Sequence, residues 1–254
     1  YVCKDARDLP VPEASNIKVE SFEGPHPAGL AGTHIHYLDP VSETKTVWHI
    51  GYQDVIAIGH LFTEGEYYGQ RVVALGGPMA KEPRLVRTYQ GADINELAAG
   101  EFKPSKQGVR VISGSVLYGN KVEAPFNYLG RFEEGNNNEF FLVNWCGIGA
   151  KRHSVTRAFL SGFIKPSSYT FNTALNGGPR PIMPIGAYEK VMPLDVEATM
   201  LMRAIDINDT DQAKLLGILE LSEEDVALCT YVCPGKIDFG PLLRRSLTKI
   251  EVEG

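Results

Sequence analysis

Apolar positions recur along this chain with two different periods, and the change between them divides it. Between residues 71 and 125 the apolar runs are short and β-branched: "RVVAL", "RLVRTY", "VRVISGSVL" and "KVEAP". Such runs, broken by "GGP" and other turn residues, predict strands. "ADINELAAG" interrupts them as a short helix. Asp93 is placed to cap it, Glu96 stands three residues on, and Gly100 ends it. Strands around one crossing helix predict a small β-grasp-like α+β module.

Upstream, the text to about Pro40 is rich in turn residues, with "EGPHPAGLAGTHIHYLDP" its most unusual part. "TVWHI" then reads as a short strand and "YQDVIAIGHLFTEG" as a helix. Val55, Ile56, Leu61 and Phe62 fall near helical spacing, and Gly65 supplies the stop. This is the back half of an α/β unit. The opening "YVC" reads as a strand cut mid-element, so a longer parent chain is expected.

Downstream, "FNYLGRF" and "EFFLVNWC" are strand-like runs on either side of the turn "EEGNNN". A long loop follows, with prolines at 166, 179, 181, 184 and 193. Beyond Asp195 the period becomes helical. "VEATMLMRAI" places Met200, Leu201, Ala204 and Ile205 on one face, and "DTDQAKLLGILEL" and "FGPLLRRSLTKIEVEG" predict two further helices. The fold class is α+β. Residues 1–67 are the remnant of an α/β (Rossmann-like) domain, 68–130 the β-grasp module, 131–193 a strand and loop extension, and 194–254 a helical region.

Composition narrows the function. The 254 residues carry a formal net charge of −6, which argues against broad nucleic-acid binding through clustered Lys and Arg. No apolar run approaches the roughly 18 residues needed to cross a bilayer, and no signal peptide is visible. The cysteines, at 3, 146, 229 and 233, are too unevenly spaced for a disulfide framework, so a reducing, cytoplasmic setting fits them better.

The most suggestive chemistry is "EEDVALCTYVCPGK". Cys229 and Cys233, followed by Pro234, reproduce the last two cysteines of a bacterial ferredoxin run, Cys-x2-Cys-x2-Cys-x3-Cys-Pro. The first two positions then fall on Glu223 and Val226. A cluster needs soft thiolates; valine cannot ligate and glutamate is a hard ligand. Ser222 to Asp225 also form a capping-box-like start for a helix that would stop before Pro234. Both cysteines would share one face of that helix. Buried apolar thiols are the favoured reading. A redox or metal role shared with a partner protein stays open, and the motif is degenerate.

Other candidates are weaker. On a strand, His34 and His36 would face the same side as metal ligands, with His26 as a third, but no acidic or cysteine residue accompanies them at familiar spacing. "GSVLYGNKV" resembles a P-loop but fails it, because Asn120 follows Gly119, Lys121 is displaced and Val122 lacks a hydroxyl. No Gly-x-Gly-x-x-Gly fingerprint is present. Lys151, Arg152, His153 and Arg157 form a local basic cluster, either a solvated loop or a docking patch for an acidic partner. No catalytic triad stands out.

Several stretches together resemble one family, that of the NqrA component of the bacterial Na+-translocating NADH:quinone oxidoreductase. They are "GPHPAGLAGTHIH", "YQDVIAIG", "RVVAL", "EPRLVRT", "VRVISGSVL", "YLGRF", "HSVTR", "VMPLD" and "VALCTYVCPGK", in that order along the whole chain. The resemblance implies that the central module is a soluble-ligand-binding β-grasp (SLBB-type) domain. It implies further sequence ahead of "YVCK", including a biotinyl/lipoyl-like domain. It also implies distant kinship with the C subunit of the Rnf complex and the NADH-binding flavoprotein subunit of complex I. Those relatives keep cluster cysteines in the helical tail; this chain departs from them at Glu223 and Val226.

By the same resemblance, the complex oxidises NADH, reduces ubiquinone and moves sodium across the inner membrane, using flavins and iron–sulfur clusters held in other subunits. This chain is then expected to be a cofactor-free, peripheral component on the cytoplasmic side. Its partners are other subunits of the complex, with ubiquinone a further candidate. No quinone contact transfers to a residue here. The competing expectations are a β-grasp module that binds a soluble ligand and an iron–sulfur protein that transfers electrons within an Rnf-like complex.

Overall fold

The computed structural model describes residues 1–7, 10–11, 13–104, 109–121, 130–133, 153, 155, 160–164, 169, 175 and 177–253. The chain divides into two compact units, one formed by Tyr1–His49 with Pro179–Gly254, the other by Ile50–Gly178.

In the first unit, β1 (Val2–Lys4) and β2 (Val19–Ser21) pair in parallel, Val2 opposite Val19. The loop from Gly24 to Leu30 then enters α1 (Ala31–Leu38). The expected strand at "HIH" is therefore helix. Residues two apart on a helix point to different sides, so His34 and His36 do not form the same-side pair a strand would give. "TVWHI" is not a strand either: residues 46–50 are irregular, and Trp48 is 90% exposed.

The helical part of this unit carries the larger core. α4 (Ala198–Ile207) buries Ala198, Leu201, Met202 and Ile205, an i, i+3, i+4, i+7 stripe. Met202 takes the inward place expected for Met200, which is exposed. Asn208, left-handed at φ 58°, ends α4, and the Ser246 hydroxyl donates to its side chain at 3.1 Å. α5 (Thr210–Leu215) starts on Asp209, whose carboxylate accepts from Gln212 N. The single helix expected over "DTDQAKLLGILEL" is broken, because Gly217 turns left-handed at φ 93° and the chain resumes as a 3-10 turn, Ile218–Glu220. α6 (Ala227–Val232) and α7 (Phe239–Glu253) complete the unit. Their shared core gathers Tyr188, Leu201, Met202, Ile205, Ile218 and Leu243, among others.

In the second unit, α2 (Tyr52–Glu64) ends as expected on left-handed Gly65, φ 76°. β3 (Gln70–Leu75) pairs antiparallel with β4 (Arg84–Tyr89), in register from Gln70 opposite Tyr89 to Leu75 opposite Arg84. Side chains alternate along β3: Arg71, Val73 and Leu75 point inward, Val72 and Ala74 outward. α3 (Ile94–Ala98) is capped by Asp93, which accepts from Asn95 N at 2.8 Å. β5 (Val109–Ser113) lies between β6 (Asn120–Lys121) and β7 (Gly130–Glu133), antiparallel to both. Val73, Leu75, Ile94 and Ala98 make the core. "EFFLVNWC" and "EEGNNN" lie outside the described residues, apart from the Glu133 end of β7.

An arginine inside this unit joins α2 to the hairpin. Arg71 is 6% exposed; its guanidinium donates to Gln53 O at 3.0 Å and to Asp54 Oδ1 at 2.6 Å. The Gln53 amide in turn pairs with both backbone groups of Val72, accepting from N at 2.8 Å and donating to O at 3.0 Å. Side chains of the first turn of α2 thus occupy part of the edge of β3, where another strand would otherwise pair.

Candidate functional site

The ferredoxin-like run folds as a turn, a short helix and a proline stop. The helix expected from Ser222 starts only at Ala227, because Ser222–Val226 is a closed turn. Asp225 Oδ2 accepts from both Ser222 N, 2.8 Å, and Ser222 Oγ, 2.7 Å. α6 then runs for six residues, and Cys233 leaves it at ψ 117°, the extended conformation that Pro234 imposes on its predecessor.

Neither Cys229 nor Cys233 is more than 1% exposed. The Cys233 thiol and Tyr188 hydroxyl share a hydrogen bond of 3.2 Å, and Ile237 N donates to the same sulfur at 3.5 Å. The Tyr188 ring stands edge-on to Phe239, with centroids 5.6 Å apart. Burial in these surroundings pushes the Cys229 thiol up to about 12, with the nearby Glu189 and Cys233 acting in the same direction. Burial and the bond to Cys233 likewise raise Tyr188 far above an ordinary phenol. A thiol held neutral is a poor metal ligand and a poor nucleophile. The pair is arranged for packing.

The other two motif positions are committed elsewhere. The Glu223 carboxylate is bound by Arg244 Nε on α7, which holds it below the usual carboxylate range. Val226 is fully buried in the core. Among the described residues, no group of three or more His, Cys, Asp or Glu side chains is placed to hold a metal ion. Cys3 lies on β1, and Cys146 is outside the described residues.

The histidines have structural partners. His34 Nε2 is 2.9 Å from Ala28 O, and its ring lies against Phe22 with centroids 4.2 Å apart. His36 Nδ1 is 2.7 Å from Glu220 Oε2, while Asp195 N donates to its Nε2 at 3.1 Å. His26 is exposed in the loop. The P-loop look-alike is a tight turn between β5 and β6: Gly119 N donates to Ser115 O at 2.6 Å, and a Cβ at Gly119 would meet Ile112 Cγ2 at 2.4 Å. Of the basic cluster, Lys151, Arg152 and Arg157 lie outside the described residues; His153 is exposed, its ring edge-on to Tyr169.

Sequence reasoning missed the contacts that tie α1 to the C-terminal helices. Besides His36–Glu220, the Asp225 carboxylate rests on Gly32 of α1. Both contacts span more than 180 residues, and no local spacing announces them.

Two family profiles match the chain, one described as "NqrA second alpha/beta domain" over residues 1–67, the other as "NQRA C-terminal domain" over residues 72–124. These matches define the class: an α+β protein with an α/β domain followed by an SLBB module. The curated relatives align along the full chain. The A subunit of the Na(+)-translocating NADH-quinone reductase of Pasteurella multocida (strain Pm70) is 55% identical over 262 residues, covering 100% of this chain and 58% of that protein. Its counterparts in Photorhabdus laumondii and Tolumonas auensis are 53% and 52% identical, with the same coverage. The chain belongs to the NqrA family, the A subunits of Na+-translocating NADH-quinone reductases. It spans a little over half the length of the relatives it matches.

Proposed function

We propose that the chain serves as a cofactor-free, peripheral part of a sodium-pumping NADH:ubiquinone reductase, catalytic only within the assembled complex. Its contribution is to assembly and to the ubiquinone-reducing end, on the cytoplasmic side of the bacterial inner membrane. NADH, flavins, iron–sulfur clusters and ubiquinone belong to the complex, and electrons bypass this polypeptide. Its functional regions are the α/β remnant 1–67, the SLBB module 68–130, the extension 131–193 and the helical region 194–254. The Lys151–Arg157 cluster is offered as a docking patch for the other subunits.

The observation that carries this reading is the fate of the four motif positions. Two sulfurs are buried with the thiol of Cys229 held neutral, one carboxylate is engaged by an arginine, and one valine fills the core. Family membership supports the rest. Among the described residues, no helix is long and apolar enough to cross a membrane, in keeping with a peripheral place.

Anaerobic purification of the chain, with iron, sulfide and the visible spectrum measured together, tests the cofactor-free part. Stoichiometric sulfide would overturn it in favour of an electron-transfer role. Crosslinking and photoaffinity labelling with a quinone analogue in the assembled complex test the quinone part. Labels that never fall on this chain would remove it.

A further inference from the structure

Strand β2 feeds a glycine-containing loop, Gly24 to Leu30, which opens into α1. At such a strand–loop–helix corner a ligand phosphate ordinarily settles, because first-turn N–H groups lack partners within the helix and the macrodipole favours negative charge. α1 brings nothing of its own to this end. Its N-cap, Leu30, makes no side-chain cap bond, and no acidic residue stands in its first turn. The loop is pinned back onto the helix by Thr33 Oγ1, which donates to Pro27 O at 3.1 Å, and by His34 at Ala28 O.

A charge arrives from the other end of the sequence. Asp225 is 3% exposed; its Oδ2 is bonded by Ser222, while its Oδ1 has no hydrogen-bond partner among the described residues. Both oxygens lie 2.5 Å from where a Cβ on Gly32 would sit, and Cγ lies 2.7 Å from it. The carboxylate therefore rests on the first turn of α1, in room that only glycine leaves. A buried carboxylate is costly unless a favourable field meets it. The element that lies against this one is the first turn of α1, at Gly32.

We propose that the N-terminus of α1 is an anion seat whose resident anion is the chain's own Asp225 carboxylate, so that the corner excludes nucleotide and free phosphate and instead clamps the Ser222–Val226 turn to α1. The proposal rests on the cofactor-free reading and deepens it. A corner built to receive a phosphate is filled from within, and the segment that fills it is the degenerate cluster motif.

The test follows the backbone amides of Gly32 and Thr33 in the full 254-residue chain, 15N-labelled, as inorganic pyrophosphate is added. The wild type shows no saturable shift at either amide. Asp225→Ser vacates the seat and gains saturable, salt-sensitive shifts at both. Asp225→Asn keeps the shape but not the charge, and hydrogen exchange in α1 speeds up by roughly fivefold or more relative to α7. Saturable shifts in the wild type would overturn the proposal. So would a folded Asp225→Ser chain with no response, or unchanged α1 exchange in Asp225→Asn. Should Asp225→Ser fail to fold, the wild-type titration and Asp225→Asn still decide. Iron and sulfide content is independent of all three measurements, so this proposal and the cofactor-free reading can fail separately.

Discussion

His36 and Glu220, 184 residues apart in the sequence, meet with Nδ1 and Oε2 2.7 Å apart. Asp195 N donates to the other ring nitrogen at 3.1 Å, which leaves Nε2 as an acceptor and puts the ring proton on Nδ1, facing the carboxylate. One imidazole thus joins α1 to the 3-10 turn Ile218–Glu220 and to the loop before α4.

His36→Ala and Glu220→Ala should each cost about 1–3 kcal/mol, since each leaves a largely buried polar group without its partner. The double variant should cost less than the sum by about 1 kcal/mol. Urea unfolding of the four chains measures this, and strict additivity would mean the contact carries no coupling.

Glu223 makes stability depend on acid. Arg244 holds its folded pKa below the usual value, so the pair's contribution is fully present above the unfolded carboxylate range. It is lost as pH falls through the folded value. Glu223→Gln should be roughly 1 kcal/mol less stable than wild type at pH 7. The two should converge in urea melts as the pH is lowered; a gap that persists unchanged at pH 2 would contradict the linkage.

Cys229 acts at the opposite end of the scale. Its folded pKa is raised to about 12, so neutral-thiol stabilisation is complete below the unfolded cysteine range, near 8.5. It declines as pH climbs from there through about 12. Cys229→Ala should lose stability at pH 7, by about 1–2 kcal/mol for the smaller side chain, and show less alkaline decline than wild type. Thiol labelling of Cys229 in the native chain should wait on unfolding. Rapid labelling without denaturant would place this sulfur at the surface.

Arg71 anchors the second unit. Arg71→Lys keeps the charge but loses the fork that reaches Gln53 O and Asp54 together, and should cost about 1–2 kcal/mol. Arg71→Ala, which also removes the buried stem, should cost about 2–4 kcal/mol. Equal effects from the two changes would show that the guanidinium contacts alone matter and that the stem adds nothing.

Periodicity is a good guide where an element's own residues decide it. The alternation along β3, the Asp93 cap, the Gly65 stop and the apolar stripe of α4 are all local facts, and all are visible in the sequence. It fails at "HIH" and "TVWHI", because short mixed runs suit a helix turn or an irregular segment as well as a strand, and tertiary contacts decide among them. Helical spacing alone also puts the wrong methionine inward: Met202, not Met200, faces the core. In the candidate site, the shortage of sulfur donors can be counted from the text alone. The engagement of Glu223 by Arg244 and the seat of Asp225 on Gly32 cannot, since each joins residues that only folding brings together.

The burial of Val226 bears on any attempt to rebuild a cluster here. Placing cysteine at 223 and 226 would complete the ferredoxin spelling, yet one new sulfur would open in the hydrophobic interior and the other would displace the partner of an α7 arginine. Two substitutions would produce the motif without the metal centre.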